Sequence, residues 1–373
     1  MAGIYIHIPF CKKKCTYCDF HFSTTFSDYR EKMIHAIVQE LKNRVSYLGK
    51  QTISTLYFGG GTPSLLTKEE LMLIIETVYQ NYHVDNEIEF TLEANPDDIN
   101  VEQLLIWKSL GVNRLSIGLQ SFLQEDLDWM NRAHTAEESE SAVKLTKEYG
   151  FSMTVDLIYG LPNRTKADWE NNIDKLVTLS PEHISAYCLT VEKQTALHKL
   201  IEKGDLPEVT EDDQSEQFET LVHKMKESGY QQYEISNFAK EEAYSQHNSN
   251  YWKGVSYLGI GPSAHSFDGE SRRWNVANNP QYIKRISEQT SYYEEEILTP
   301  KDRFNELLLT GLRTKWGVNL ELLSFKHCPT KEFHKQLNAF KAFNLIFEEE
   351  GTLFLTEKGK LQADHVAAML FLE

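Results

Sequence analysis

Cysteine is scarce in this chain, five among 373 residues, and no charged-then-apolar leader precedes the first strand-like run. Disulfide scaffolding is therefore a poor organising principle, and a reducing, cytoplasmic setting is expected. Positive charge is in deficit too: 38 Lys and Arg stand against 55 Asp and Glu, a formal net charge of −17. That argues against a general nucleic-acid binder, because phosphate contacts need clustered cations. No apolar run approaches the length of a bilayer span, so any membrane association is expected to be peripheral. Low-complexity tracts and long linkers are missing as well. What remains is a chain long enough to bury one large core and carry a smaller appendage.

Three of the five cysteines stand together. The apolar run Ile4-Tyr5-Ile6-His7-Ile8 reads as a buried strand, and Cys11, Cys15 and Cys18 follow it in C-x3-C-x2-C spacing. Three thiolates in one short loop can converge on a soft metal centre, leaving one coordination position without an obvious local ligand. Disulfides are the weakest reading of this loop. A structural zinc would need a fourth ligand, for which His7 or His21 is available. An iron–sulfur cluster with one open iron is the sharper alternative. Cys188 and Cys328 are isolated and are expected to be buried hydrophobes.

Downstream, strand-like and helix-like segments alternate. Ser27 is expected to cap a helix over residues 28–47. Strands are expected at 55–58, 87–92, 114–119, 152–158 and 183–189, separated by helical patterns. Six such units imply right-handed crossovers and a parallel sheet. Glycines, carboxylates, amides or cysteines sit at or near the carboxyl ends of the first five strands, where parallel α/β barrels place their sites. Six units are too few for a closed eight-stranded barrel, so an open six-stranded partial (β/α)6 barrel is expected over 1–209. Residues 210–298 read as a barrel extension in which 246–252 is loop-like and 258–265 is a Gly-rich turn. From 299 to 373 the pattern of helices and a hairpin around Gly351 suggests a small winged-helix-like domain. Its cations are matched by acids, including Glu348, Glu349 and Glu350, which favours an interaction or lid role over DNA binding.

The first strand, the loop and Tyr17 just ahead of the third cysteine together resemble the radical S-adenosylmethionine (SAM) superfamily. The pattern Y-I-H-I-P-F-C-x3-C-x-[YF]-C is similar to the branch holding oxygen-independent coproporphyrinogen III oxidase (HemN) and the haem chaperone HemW. The resemblance implies a [4Fe-4S] cluster on Cys11, Cys15 and Cys18 whose unique iron is chelated by SAM. It implies SAM contacts at Gly60, Gly61 and Thr62, where this chain reads GGGTP in place of the family's GGE-like motif. Glu93 in LEANP, Gln120 in SIGLQSF, Arg132 in NRAHT and Asp156 in DLIYGLP carry over as SAM contacts, and Tyr5, Tyr17 and Ala186 join them on the same grounds. An amide, a cationic fork and carboxylates suit a carboxylate, a ribose or a second SAM; a buried Arg132–Asp156 pair closing the rim is the plainer reading. His247-Asn248-Ser249-Asn250-Tyr251-Trp252 matches the HNxxYW motif associated with HemW, which implies His247 as an axial haem ligand, with His265 as runner-up.

Two departures from HemN bear on function. HemN carries a fourth Cys one residue beyond the third, whereas this chain has Asp19 and then Phe20, and it has an extension before the first strand that this sequence does not show. Both favour a haem-binding protein that passes haem to a haem-requiring acceptor, at a membrane or elsewhere. The alternative is an enzyme that oxidatively decarboxylates two propionates of a porphyrinogen through a 5′-deoxyadenosyl radical, with Arg132 or a neighbouring cation orienting the carboxylate. A zinc-stabilised binding module without SAM chemistry is a third, weaker expectation. A homodimer stands among the options for assembly.

Overall fold

The computed structural model describes residues 1–326 and 329–372; Cys328 lies outside them. Strand β1 (Ala2–Ile8) is buried along almost its whole length. Helix α1 (Arg30–Asn43) follows, with Met33, Ile37 and Leu41 on its buried face. Ser27 caps nothing: it opens a short 3-10 turn, Ser27–Tyr29, that leads into α1 without a side-chain cap. The alternation continues through β2 (Ile53–Gly60), α2 (Lys68–Asn81), β3 (Val84–Ala94), α3 (Val101–Ser109) and β4 (Arg114–Gln120). Helices α4 (Gln124–Trp129) and α5 (Ala136–Glu148) precede β5 (Ser152–Tyr159), and α6 (Lys166–Leu179) precedes β6 (His183–Cys188). Thr67 with Glu70, Thr135 with Glu138 and Thr165 with Asp168 form capping boxes that fix the starts of α2, α5 and α6.

Strands β1 to β6 pair in parallel in chain order, as the alternation requires. The register sets Ile8 beside Gly60, so the cysteine loop leaves its strand next to the glycine-rich end of β2. Helices α7 (Ala196–Glu202) and α8 (Glu211–Glu227) lead to the hairpin of β7 (Gln231–Glu234) and β8 (Asn237–Ala239), which adds to β6 in antiparallel fashion. The segment 246–252 is not a loop but helix α9 (Gln246–Trp252), capped by Ser245 and by the Glu89 carboxylate, which accepts from the Gln246 and His247 amides at 2.8 and 2.7 Å. Part of the Gly-rich stretch is strand β9 (Tyr257–Ile260), which lies parallel to β1 on its free side and makes a seventh parallel strand. Gly261, at φ 101°, then turns the chain close to β1, where a Cβ would stand 2.5 Å from the His7 carbonyl. Strands β10 (His265–Phe267) and β11 (Ser271–Asn275), helix α10 (Asn279–Ser287) and β12 (Tyr293–Ile297) complete the order β12-β11-β10-β9-β1-β2-β3-β4-β5-β6-β8-β7. This order has two free ends, so the barrel is open.

The main core is continuous from β1 through α8, β9 and α10. A second core holds the carboxyl-terminal module: α11 (Pro300–Leu312), β13 (Val318–Asn319), α12 (Leu320–Lys326), α13 (Lys331–Ala342) and the hairpin β14 (Ile346–Glu349)–β15 (Thr352–Leu355). Helix, short strand, two helices and a hairpin is a winged-helix-like order, and α14 (Glu357–Lys360) and α15 (Ala363–Ala368) follow it, α15 in the same core. Its seam with the barrel includes Lys315 N–H donating to the Tyr233 carbonyl at 2.9 Å and Arg313 over the Trp252 ring at 5.4 Å. Among the described residues no helix is long and apolar enough to cross a membrane.

Candidate functional site

The parallel strands surround a cavity of about 630 Å³, within the range of cofactor pockets. The cysteine loop forms one side of its mouth. The Cys11 amide donates to the Ser23 carbonyl (3.1 Å), Thr16 N–H to the Met130 carbonyl (3.1 Å), and Asn131 Nδ2 to the Lys14 carbonyl (2.9 Å). A small apolar cluster of Met130, Ile158, Leu161, Leu189 and Leu197, with Tyr17 against it, supports the loop from below. These anchors hold all three thiols on the cavity wall. The Thr62 hydroxyl donates to Cys11 Sγ at 3.4 Å and Arg132 Nη1 reaches Cys15 Sγ at 3.5 Å. Burial pushes the Cys11 thiol up to about 11 and the Cys18 thiol up to about 12, so ionising them calls for a cationic centre to hold the thiolates.

The glycines make a cradle. Gly60 has φ 101°, and a Cβ on Gly61 would stand 2.6 Å from the carbonyl oxygens of both Ile8 and Phe10. Gly61 and Thr62 donate to those same carbonyls at 2.9 and 2.6 Å, tying β2 to the cysteine loop. Glu93 accepts from Tyr57 OH at 2.8 Å and from Gly60 N–H at 3.1 Å. Sequestration inside the cavity, with Asp156 as a second acid nearby, raises its carboxyl to about 7. Asp156 also rises to about 7, chiefly through burial, against the help of Ser185 and the Arg132 charge. Arg132 and Asp156 do not pair: the Arg132 fork donates to Asn95 Oδ1 and the Gly118 carbonyl, both at 2.7 Å, and its Nε is buried without a partner. Gln120 sits at φ 71° where the β4–β5 register slips, which turns it into the mouth.

Of the expected SAM contacts, Tyr5, Tyr17, Gly60, Gly61, Thr62, Glu93, Gln120, Arg132 and Asp156 all line this one cavity. Ala186 does not. It faces the main core while its neighbours Ser185 and Tyr187 face inward, as strand alternation requires. Cys188 is half-buried on the cavity wall, not a core residue. Sequence reasoning missed Asn95, Arg114, Ser116, Thr154, His183 and Asn248, which also line the cavity. Period-two counting back from Gln120 and Asp156 would have found Arg114, Ser116 and Thr154.

His247 lies deep in the same cavity, 3% exposed, with Nδ1 bonded to Thr55 Oγ1 (2.7 Å) and Nε2 to Tyr251 OH (2.9 Å). Its ring stacks on Tyr57 at 4.9 Å, and burial lowers its pKa to about 3, so it is a neutral imidazole with both nitrogens engaged. Ligation of iron would require breaking one of those bonds. His265 is exposed, stacked on Trp274 at 6.4 Å, and does not line the cavity.

The donor set suits a cluster better than a single ion. Among the described residues no three of His, Cys, Asp and Glu are grouped as one metal ion needs. Of the two candidate fourth zinc ligands, His7 has both ring nitrogens engaged, Nε2 with the His21 carbonyl at 2.8 Å and Nδ1 with Tyr5 OH at 3.2 Å, and His21 is oriented by Nε2 bonded to Asn279 Oδ1 at 2.7 Å. A thiol triad opening onto a cavity that Glu93 and Asp156 also line matches a cluster with a nucleoside co-ligand.

Comparison with known proteins agrees. The profile of the radical SAM superfamily matches residues 5–176. The chain is 34% identical over 371 residues to the haem chaperone HemW of Bacillus subtilis, covering 98% of each protein, and 33% identical over 387 residues to HemW of Haemophilus influenzae, covering all of this chain and 98% of that one. It superposes on coproporphyrinogen III oxidase (HemN) of Escherichia coli with a TM-score of 0.87 at 24% identity, covering 99% of this chain and 90% of that one, which shows a shared fold. A cysteine loop, a glycine cradle and a partial barrel in these positions, with full-length relatives of this kind, place the chain in the radical SAM superfamily, in the branch that holds HemW and HemN.

Proposed function

We propose that this protein binds haem and delivers it to a haem-requiring acceptor, on a scaffold that holds a [4Fe-4S] cluster at Cys11, Cys15 and Cys18 and SAM across the cavity mouth. The observation that carries the reading is the end-to-end similarity to proteins named haem chaperones. When bound, the cluster would supply an open iron for the amino and carboxylate groups of SAM and the electron for reductive cleavage of its sulfonium. The chain's own part is to position and shield. Gly60 and Gly61 offer backbone without side chains, and Glu93, anionic above about pH 7, accepts hydrogen bonds from an ammonium or hydroxyl. Arg132 lays positive charge against the Cys15 sulfur. The carboxyl-terminal module, with Phe343 and Phe347 exposed, is the proposed contact for the acceptor.

Decarboxylation of a porphyrinogen is the less favoured reading, since this chain has Asp19 and then Phe20 after its third cysteine, where HemN carries a fourth. Anaerobic reconstitution followed by parallel haem titration and porphyrinogen turnover separates the two. Stoichiometric haem binding without protoporphyrinogen is the expected result. Turnover at the level of a HemN control, with no haem retained, would replace this reading by the enzymatic one.

A further inference from the structure

The closed end of the cavity, away from the cysteines, has a chemistry of its own. Inward-facing residues on β4 run Arg114, Ser116, Gly118, Gln120, so Arg114 lies six residues from the mouth, about 20 Å at ~3.3 Å per residue. A group bound at the thiols does not cover it. Arg114 is 5% exposed, and its Nη2 donates to Thr154 Oγ1 at 2.8 Å. Its Nε is buried without a partner, and among the described residues no carboxylate forms an ion pair with it. Glu93 bonds Tyr57 and Gly60, and Asp156 bonds Ser116; the Arg114 charge acts on Asp156 from a distance, yet burial holds that carboxyl at about 7, so it matches the guanidinium only in part.

Beside it His183 is 1% exposed, with Nε2 at 2.8 Å from Tyr233 OH. Asn248 Nδ2 donates to that same hydroxyl at 2.9 Å. The Tyr233 proton therefore goes to Nε2, and the neutral ring carries its own proton on Nδ1, which is buried without a partner. Burial and the Arg114 charge both keep His183 neutral. The floor thus offers a fixed cation and two unmatched N–H donors. Water would satisfy the hydrogen bonds but not the charge, and a guanidinium held away from solvent, with no direct ion pair and only the half-protonated Asp156 at a distance, favours a counter-anion.

We propose that the closed end of the barrel is a subsite for the carboxylate of an organic acid, held by Arg114 and Thr154 with His183 Nδ1–H as a further donor. The carboxylate belongs either to a free small acid or to a propionate of the tetrapyrrole that the proposed function assigns; the subsite itself does not depend on that assignment.

The test uses reconstituted protein with SAM and the probe 4-bromobenzoate, with 4-bromobenzamide as its uncharged control. Calorimetry is expected to show the acid binding at least tenfold more tightly than the amide, and anomalous diffraction to place bromine in the barrel with the carboxylate on Arg114. The preference is expected to vanish in Arg114→Gln. Equal binding of acid and amide by the wild type, or bromine elsewhere, overturns the proposal whether or not the variant folds. Competition separates the sources: displacement of the probe by haem but not by its dimethyl ester assigns a propionate, and displacement by neither assigns a free acid.

Discussion

Glu93→Gln reads the cavity's electrostatics through stability. Glu93 accepts two hydrogen bonds inside the barrel, yet its carboxyl sits at about 7, because sequestration and Asp156 outweigh the help of Tyr57 and Gly60. A folded-state pKa raised above the unfolded one means that the native state holds the proton more tightly. The stabilisation this gives is complete below about pH 4.5 and is lost as pH rises through about 7. A rise from 4.5 to about 7 corresponds to on the order of 3 kcal/mol against the anion. Glutamine is neutral throughout and forfeits one of the two hydrogen bonds, an offset of ~1 kcal/mol that does not vary with pH. The stability of Glu93→Gln relative to the wild type should therefore improve by about 2–3 kcal/mol between pH 5 and pH 9. Urea unfolding of the apo-protein across that range measures it. A difference that is flat with pH, or that moves against the variant as pH rises, would refute the burial argument for both cavity acids.

Three further outcomes follow from the geometry. His247→Ala leaves the Thr55 and Tyr251 hydroxyls unmatched and opens a hole beside Tyr57, so it should cost about 2–4 kcal/mol in unfolding while the haem spectrum of the folded protein persists; loss of the spectrum at unchanged stability would restore His247 as the iron ligand. Gly61→Ala forces a methyl against two backbone carbonyls and should give substoichiometric iron on reconstitution with a native far-ultraviolet circular dichroism spectrum. Serine at Cys11, Cys15 or Cys18 should each abolish the visible absorbance of the reconstituted cluster, whereas Cys188→Ser should keep it, although Cys188 also faces the cavity; a colourless Cys188→Ser protein would redraw the ligand set.

The parallel core was legible because each strand is a buried apolar run bounded by helical patterns, and the observed bounds lie within a few residues of those expected. The mouth was legible because its residues crowd the strand ends. What escaped depends on long-range partners. The helix carrying His247 has little apolar periodicity of its own, and its first turn is stabilised by Glu89, a residue of β3 more than 150 positions earlier. Strand β9 is four residues long and gains its place by lying between β1 and β10. Arg114 and His183 stand at strand starts, where a polar residue ordinarily reads as a solvated end, although alternation puts them on the same faces as Gln120 and Ser185. Ala186 is the reverse case, a residue carried over by resemblance that alternation points into the core.

The position of β9 bears on how the protein is made. The strand that delivers the three thiols is an interior strand whose two neighbours come from opposite ends of the barrel sequence: β2 emerges within sixty residues, β9 only after residue 257. During synthesis the cysteine-bearing strand keeps one unpaired edge until most of the chain has left the ribosome, and closing that edge is among the most sequence-distant steps of folding. A chain truncated before β9 would leave that edge of the cysteine-bearing strand exposed and aggregation-prone.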